Sequence, residues 1–423
     1  MERGGGGGRE EHIVMLPFMA QGHLIPFLAL ANKLINNYSH SFPRLKITIA
    51  TTPLNARYLR SANNHNNDDI HIHILELPFN SSDHGLPSNT ENTEALPLNQ
   101  MVNLFHSSKS LQPSFQRFIQ DAATPPLCII SDVFMGWATE VAQSCSTKNI
   151  TFTTGGAYGT AAYLSLWKHL PHRRLHSDNN DHDYYFRLPG FPDSYTFHTT
   201  QLHHFLRNAD GTDSWSKFFQ PQIAHSLNSS GWLCNTAEDI EPFGLHALRK
   251  ITNQLPLWCI GPLLPSNMMV TCRNHSRLIG KHTGREPGVS PEKCLQWLDS
   301  HSENSVLYIS FGSQNTISPL QMMALAMGLE DSKRAFIWVI RPPVGFDLKG
   351  EGVGSIISKE EVKKVIEMVM GTEEEAEEMK RKAYKIGELM RAAVNVNESQ
   401  KGSSLKAMDD FVAALLSNSQ AHA

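Results

Sequence analysis

Two side chains in this sequence have the types and settings that proton transfer needs, an imidazole, His23, and a carboxylate, Asp132. His23 stands in Met19-Ala20-Gln21-Gly22-His23-Leu24-Ile25-Pro26, after the apolar run His12 to Phe18 and before a helical pattern through Leu28, Ala31 and Ile35. The stretch reads as strand, tight turn, helix. Gly22 can take the backbone shape that a sharp turn needs, and Pro26 suits the first turn of a helix, where a missing N–H costs nothing. In an open α/β sheet, ligands bind at the carboxyl ends of the strands, so an imidazole after the first strand is a candidate general base. A histidine that only caps the helix or bonds the loop fits the same position, and the motif alone leaves both readings open.

Asp132 closes Ile129-Ile130-Ser131-Asp132, an apolar strand that ends in polar residues ahead of Val133-Phe134-Met135-Gly136-Trp137. If this strand neighbours the first, Asp132 can accept a hydrogen bond from His23, set its tautomer and stabilise the imidazolium that forms when His23 takes a proton. A helix cap is the competing reading of a Ser-Asp strand end. A third polar point is Val306 to Ser313, a strand running into a small-residue turn, where the Ser313 hydroxyl and backbone N–H groups can hold a phosphate. Gly155-Gly156-Ala157-Tyr158-Gly159 resembles a phosphate turn only loosely. No G-x-G-x-x-G follows the first strand, so a nicotinamide-dependent oxidoreductase is disfavoured. His169, His172, His176 and His182 crowd one segment, but Pro171 breaks any helical face and the spacing matches no closed metal site. A solvated loop is the expectation there, and no metal site is assigned.

The elements that must position these groups alternate in type. Strands are expected at Leu45 to Thr51, Ile70 to Leu77, Leu127 to Ser131, Asn149 to Thr154, Gly231 to Thr236 and Leu257 to Ile260, with helices between them. Such alternation means an α/β fold with a parallel sheet covered by helices. Asn99 to Asp121 has helical spacing with a kink expected at Pro113. Asn80 to Pro97 is polar and turn-rich and reads as a loop over the site. Residues 261–291 have the composition of a linker between an N-terminal domain, 12–260, and a C-terminal one, 292–423. Met1 to Glu11, with five consecutive glycines, reads as a disordered leader rather than a signal peptide or membrane span.

Composition narrows the function. The 423 residues are 40% hydrophobic and carry 37 basic against 41 acidic side chains, net −4. That supplies no field to hold a nucleic-acid backbone or an anionic membrane, so neither partner is expected. Six widely spaced cysteines with no C-x-x-C pair suit a reducing compartment, and the cytoplasm is the expected location.

In order along the chain, Gly22-His23-Leu24-Ile25-Pro26, Ser131-Asp132, Ile260-Gly261-Pro262-Leu263, Tyr308 to Ser313 and Phe336-Ile337-Trp338-Val339-Ile340-Arg341 resemble the plant UDP-dependent glycosyltransferases. The resemblance implies a GT-B fold of two Rossmann-like domains, with acceptor held mainly by the N-terminal domain and nucleotide sugar mainly by the C-terminal one. It implies inverting transfer of a sugar, glucose by expectation, from UDP-sugar to a hydroxyl of a small hydrophobic metabolite, with no cofactor besides that co-substrate. On the same resemblance His23 is the base, Asp132 its partner, and Ser313, Gly22 and Thr154 the donor-binding residues. Phe18, Phe134, Trp137, Tyr158 and Trp167 are candidates for the acceptor cleft or for ordinary core. The oligomeric state is left open.

One stretch of the family pattern is missing from the sequence. The donor box that begins Trp-Ala-Pro-Gln and continues through His-Cys-Gly-Trp-Asn-Ser does not occur, and Pro342 to Gly350 leads at once into Gly352-Val353-Gly354-Ser355 and helices at Lys359 to Met370, Glu373 to Val394 and Ser403 to Leu416. Only two good strands remain in the second half, against about 5 or 6 in a typical sheet. The C-terminal domain is therefore expected to be incomplete. The alternative reading is a non-catalytic remnant that keeps an acceptor pocket and does not bind UDP-sugar.

Overall fold

The computed structural model describes residues 11–38, 44–63, 72–94, 96–173, 184–264, 288–312, 317–340 and 357–419. These fall into two compact units. One gathers the described residues up to Asn92, from Val102 to Leu264 and from Met390 onward; the other gathers Thr93–Met101 and the described residues from 288 to Leu389.

The first unit is built on β1 (Glu11–Leu16), β2 (Leu45–Thr51), β3 (Ile72–Glu76), β4 (Cys128–Asp132) and β5 (Asn149–Thr153). After an antiparallel pair of two-residue strands, β6 (Tyr185–Phe186) with β7 (Phe197–His198), it is completed by β8 (Gly231–Cys234) and β9 (Leu257–Cys259). The sheet runs β3-β2-β1-β4-β5-β8-β9, every neighbour parallel. Strands buried on both faces must be apolar nearly throughout, and β4 and β5 are buried at every residue. From β1 the chain steps outward to β2 and β3 and then returns to the other side of β1 as β4. The order therefore reverses between β1 and β4, and the carboxyl ends of those two strands border a crevice.

Helices α1 (Gln21–Tyr38), α2 (Pro53–Asn63), α3 (Met101–Ser107), α4 (Gln112–Gln120), α5 (Ala138–Ser144), α6 (Ala157–His169), α7 (His204–Arg207), α8 (Ser214–Ser226) and α9 (Pro242–Ile251) connect the strands. Ile13, Met15, Ile47, Ile49 and Ile130 form one core with Phe27, Ala31 and Leu34 of α1. Glu11 begins β1 rather than ending a leader; residues 1–10 lie outside the described residues. The helix expected over 99–121 is broken in two by a 3-10 turn at Ser108–Leu111, because Pro113 starts α4, where its missing N–H needs no partner, instead of kinking one long helix.

The second unit carries α10 (Pro291–Asp299), β10 (Val306–Ser310), α11 (Pro319–Ser332), β11 (Ala335–Val339), α12 (Lys359–Met370) and most of α13 (Glu374–Ala393). Ser318 with Gln321, and Ser358 with Glu361, form reciprocal capping boxes that start α11 and α12. Gly328 lets these helices touch, since a Cβ there would stand 2.6 Å from Val362 Cβ. Strands β10 and β11 are parallel and, among the described residues, pair only with each other. Large apolar side chains on this unit stay in solvent, Tyr308 at 65%, Leu320 at 67% and Met323 at 61% exposure.

The last helix, α14 (Ser403–Ser419), falls by sequence within the domain 292–423, yet it packs in the first unit. Its Met408, Phe411, Val412 and Leu415 join the core beside α1, and Phe411 meets Trp258 of β9 edge to face at 5.2 Å. Tyr38 Oη donates to Asp409 Oδ1 at 2.6 Å, and Ser403 Oγ donates to Asp239 Oδ2 at 2.7 Å.

Candidate active site

The crevice between β1 and β4 places His23 and Asp132 side by side. Leu16 of β1 is in register with Ser131 of β4, so the residue after Ser131 faces the turn that follows β1. His23 Nδ1 lies 2.6 Å from Asp132 Oδ2, and Asp132 has no exposed surface. An ionised carboxylate only accepts, so the shared proton sits on Nδ1 and leaves the Nε2 lone pair available. The other oxygen, Oδ1, accepts from the Phe134 N–H at 2.9 Å. Asp132 is thus both the cap of the short 3-10 turn Val133–Met135 and the partner of the imidazole, so the two sequence readings describe one carboxylate with two acceptor sites.

The local backbone around His23 differs from the expected tight turn. Helix α1 already begins at Gln21, with the His23 and Leu24 N–H groups both donating to Ala20 O at 2.9 Å. Gly22 sits within this first turn without a positive φ, exposed, and a Cβ there would meet nothing within 4 Å. Its value is openness at the helix end rather than an unusual turn. Pro26 lies inside the helix, where it withholds the N–H that would have bonded the Gly22 carbonyl.

Aromatic rings wall the imidazole. Phe18 meets the His23 ring at 5.5 Å and 72°, and Phe134 meets it at 5.2 Å and 44°. Phe134 continues outward to Phe105 at 5.7 Å, Tyr163 at 6.1 Å and Phe219 at 5.2 Å. Burial pushes the Tyr163 hydroxyl well above its usual range, so it stays protonated. Of the other rings named from sequence, Trp137 is core, edge-on to Phe115 at 5.8 Å. Trp167 is buried and stacks on Phe219 at 4.7 Å, while Tyr158 belongs to a separate group with Phe191, Phe197 and Phe243. Phe105, Tyr163 and Phe219 come from three helices; a lone aromatic in a helical stripe carries no sign that it faces a cleft.

The glycine turn at 155–156 holds one of the chain's own carboxylates. Glu241 Oε2 accepts from the Ala157 N–H at the start of α6 at 2.5 Å, and a Cβ on Gly156 would stand 2.7 Å from that carboxylate. The positive end of α6 is thus neutralised from within the fold. Just before it, the Thr154 carbonyl accepts from Asn235 Nδ2 at 3.1 Å. Ser313, His176, His182 and Cys272 lie outside the described residues. His172 is buried, and among the described residues no three His, Cys, Asp or Glu side chains converge as metal ligands would. Cys128, Cys145, Cys234, Cys259 and Cys294 are free thiols. A cavity of about 340 Å³ lined by His12, Lys46, Thr48, His73 and Asp121 opens at the amino edge of the sheet, away from His23. No helix among the described residues is long and apolar enough to cross a membrane.

No family model matches the chain. Individual sequences and solved folds do. Crocetin glucosyltransferase 3 of Crocus sativus is 45% identical over 325 residues, 76% of this chain and 64% of that protein. UDP-glycosyltransferase 92A1 of Arabidopsis thaliana is 37% identical over 351 residues, 81% of this chain and 66% of its own length. UDP-glucose flavonoid 3-O-glucosyltransferase 7 of Fragaria ananassa is 30% identical over 356 residues, covering 82% of this chain and 68% of the relative. The chain belongs to the plant UDP-glycosyltransferases. It spans just under two thirds of the length of the first two relatives. The fold agrees with the GT-B glycosyltransferases: Glycyrrhiza uralensis UGT73P12, solved with glycyrrhetinic acid 3-O-monoglucuronide, superposes with a TM-score of 0.74 at 21% identity over 97% of this chain and 96% of that one. Medicago truncatula UGT71G1, solved with UDP-glucose, gives 0.71 at 18% identity over 96% and 98%. Within this glycosyltransferase family, the His23–Asp132 pair is the feature of the first unit on which a chemical reading can rest.

Proposed function

We propose that this chain transfers a sugar, glucose in the first instance, from UDP-sugar to a hydroxyl of a small hydrophobic plant metabolite, with inversion and in the cytoplasm. The acceptor lies against Phe134 with its hydroxyl at His23 Nε2. As the oxygen attacks the anomeric carbon, Nε2 takes the hydroxyl proton, the bond from that carbon to the UDP oxygen breaks, and its electron pair leaves with UDP. Asp132, already hydrogen-bonded to Nδ1, offsets the charge that develops on the ring. Ser313, Gly22 and Thr154 are assigned to the donor, Gly22 through the open N-terminal turn of α1. The observation that carries the reading is the 2.6 Å bond from His23 Nδ1 to a carboxylate with no exposed surface.

The test is UDP release from UDP-glucose in the presence of flavonoids, hydroxyl-bearing acceptors suggested by one relative's name. His23→Ala should abolish turnover while the far-ultraviolet circular dichroism stays unchanged; retained turnover would remove His23 from the role of base.

The alternative reading from sequence is the non-catalytic remnant, which neither the fold nor the relatives support. On that reading the chain keeps an acceptor pocket and does not hold UDP-sugar. Calorimetric titration separates the two: micromolar binding of UDP or UDP-glucose supports the transferase, and absence of heat supports the remnant.

A further inference from the structure

A hydrogen bond to one ring nitrogen sets the tautomer of an imidazole but not the tilt of its plane, because the ring can rock about the Nδ1···Oδ2 line. What fixes the direction of Nε2 is whatever walls the ring. Phe18 supplies one wall. It is fully buried and backed by Phe105 at 4.4 Å. Phe134 supplies the other wall, and it is only half-buried.

Phe134 touches both members of the pair and the rings around them. Its backbone N–H holds Asp132 Oδ1, its ring lies 5.2 Å from His23, and the same ring meets Phe105, Tyr163 and Phe219, which form the aromatic wall. We infer that Phe134 is a positioning residue through which a seated acceptor aligns the base, the acceptor pressing the Phe134 ring against His23 so that Nε2 points at the reacting hydroxyl. The inference rests on the proposed role of His23 as base. The ring also lies 5.2 Å from the imidazolium that forms on proton transfer, within reach of a cation–π attraction that grows only as charge develops.

The substitutions that test this are Phe134→Leu, which keeps an apolar side chain and the backbone N–H but removes the ring, and Phe134→Tyr, which restores a ring. In the full chain, carbon-13 relaxation at His23 Cε1 reads the rigidity of the imidazole without any turnover. Phe134→Leu should lower that order parameter and cut kcat about ten- to hundredfold, the loss expected for a displacement of about 1 Å at a reacting group. Phe134→Tyr should return both to near wild-type. An unchanged order parameter in Phe134→Leu, or a tyrosine variant no better than leucine, overturns the inference. A chain in which His23→Ala stays active fails at the base assignment instead, and the relaxation result still reports on Phe134.

Discussion

Replacing Asp132 with Asn changes one oxygen for an amide group in a place with no solvent and two fixed hydrogen-bond directions. Oδ1 accepts from the Phe134 N–H and Oδ2 from His23 Nδ1, so wild-type Asp132 is an acceptor on both sides. Asparagine offers one acceptor and one donor. If its oxygen stays with Phe134, the NH2 group faces His23, Nδ1 must become the acceptor, and the ring proton moves to Nε2, which can then no longer take a proton from the acceptor. If the amide is turned the other way, two N–H groups meet in a buried site, at a cost of about 1–3 kcal/mol. The first arrangement is cheaper, so the fold should persist while the base is lost. Losing a correctly poised base together with the charge beside it should lower kcat about 10³- to 10⁴-fold, or about 4–5.5 kcal/mol at 1.36 kcal/mol per factor of ten. The assay is steady-state UDP release at saturating donor, paired with nitrogen-15 spectra of the imidazole that report which nitrogen is protonated. Turnover within tenfold of wild-type, or a ring still protonated on Nδ1, would refute the reasoning.

Three other perturbations follow from the same structure. Burial lowers the Lys33 ammonium to about 8, although its Nζ donates to Ile260 O at 3.1 Å. Because the unfolded chain holds that proton up to its ordinary value of 10.5, the unfolded state binds more protons in the window between, and stability should rise as pH climbs from about 8 to 10.5. Lys33→Met should flatten this part of the denaturation profile by up to about 3 kcal/mol across the window, measured as a difference so that the raised Tyr38 and Cys259 groups cancel; parallel profiles would count against it. Phe411→Ala should cost about 3–5 kcal/mol of the first unit's stability and perturb Trp258 fluorescence, and a loss below 1 kcal/mol would mean that α14 is not part of that core. Hydrogen exchange should protect β1, β4 and β5 far more than β10 and β11, and a single cooperative melt that includes the second unit would contradict its thin packing.

Much of the first unit could be read along the chain because its determinants are local. Parallel strands buried on both faces announce themselves as apolar runs, and β2, β4 and β5 appear within a residue or so of where composition puts them. The meeting of His23 with Asp132 was legible only as a condition, since adjacency of β1 and β4 depends on the order of the whole sheet. Glu241 over the α6 N-terminus was not legible: it comes from the residue before α9, and nothing in its own neighbourhood says which helix it will cap. Phe105 and Phe219 likewise look like helix-stripe core residues, which in large part they are. Pro26 and Gly22 invited a turn-based reading because both residues punctuate loops, whereas α1 tolerates the proline near its start, where the lost bond faces the open end. The placement of α14 escaped for a physical reason too, because its amphipathic pattern specifies an apolar partner without specifying which one.

That placement bears on how the polypeptide is made. The bond from Tyr38 to Asp409 spans 371 positions, so a ribosome must deliver every residue between them before the seam beside α1 and β9 can be closed. Until then the nascent sheet must survive with a greasy strip uncovered, a state prone to sticking and suited to chaperone binding. Ribosome-stalled chains halted before Ser403 should therefore be retained by chaperones and released once translation has passed α14.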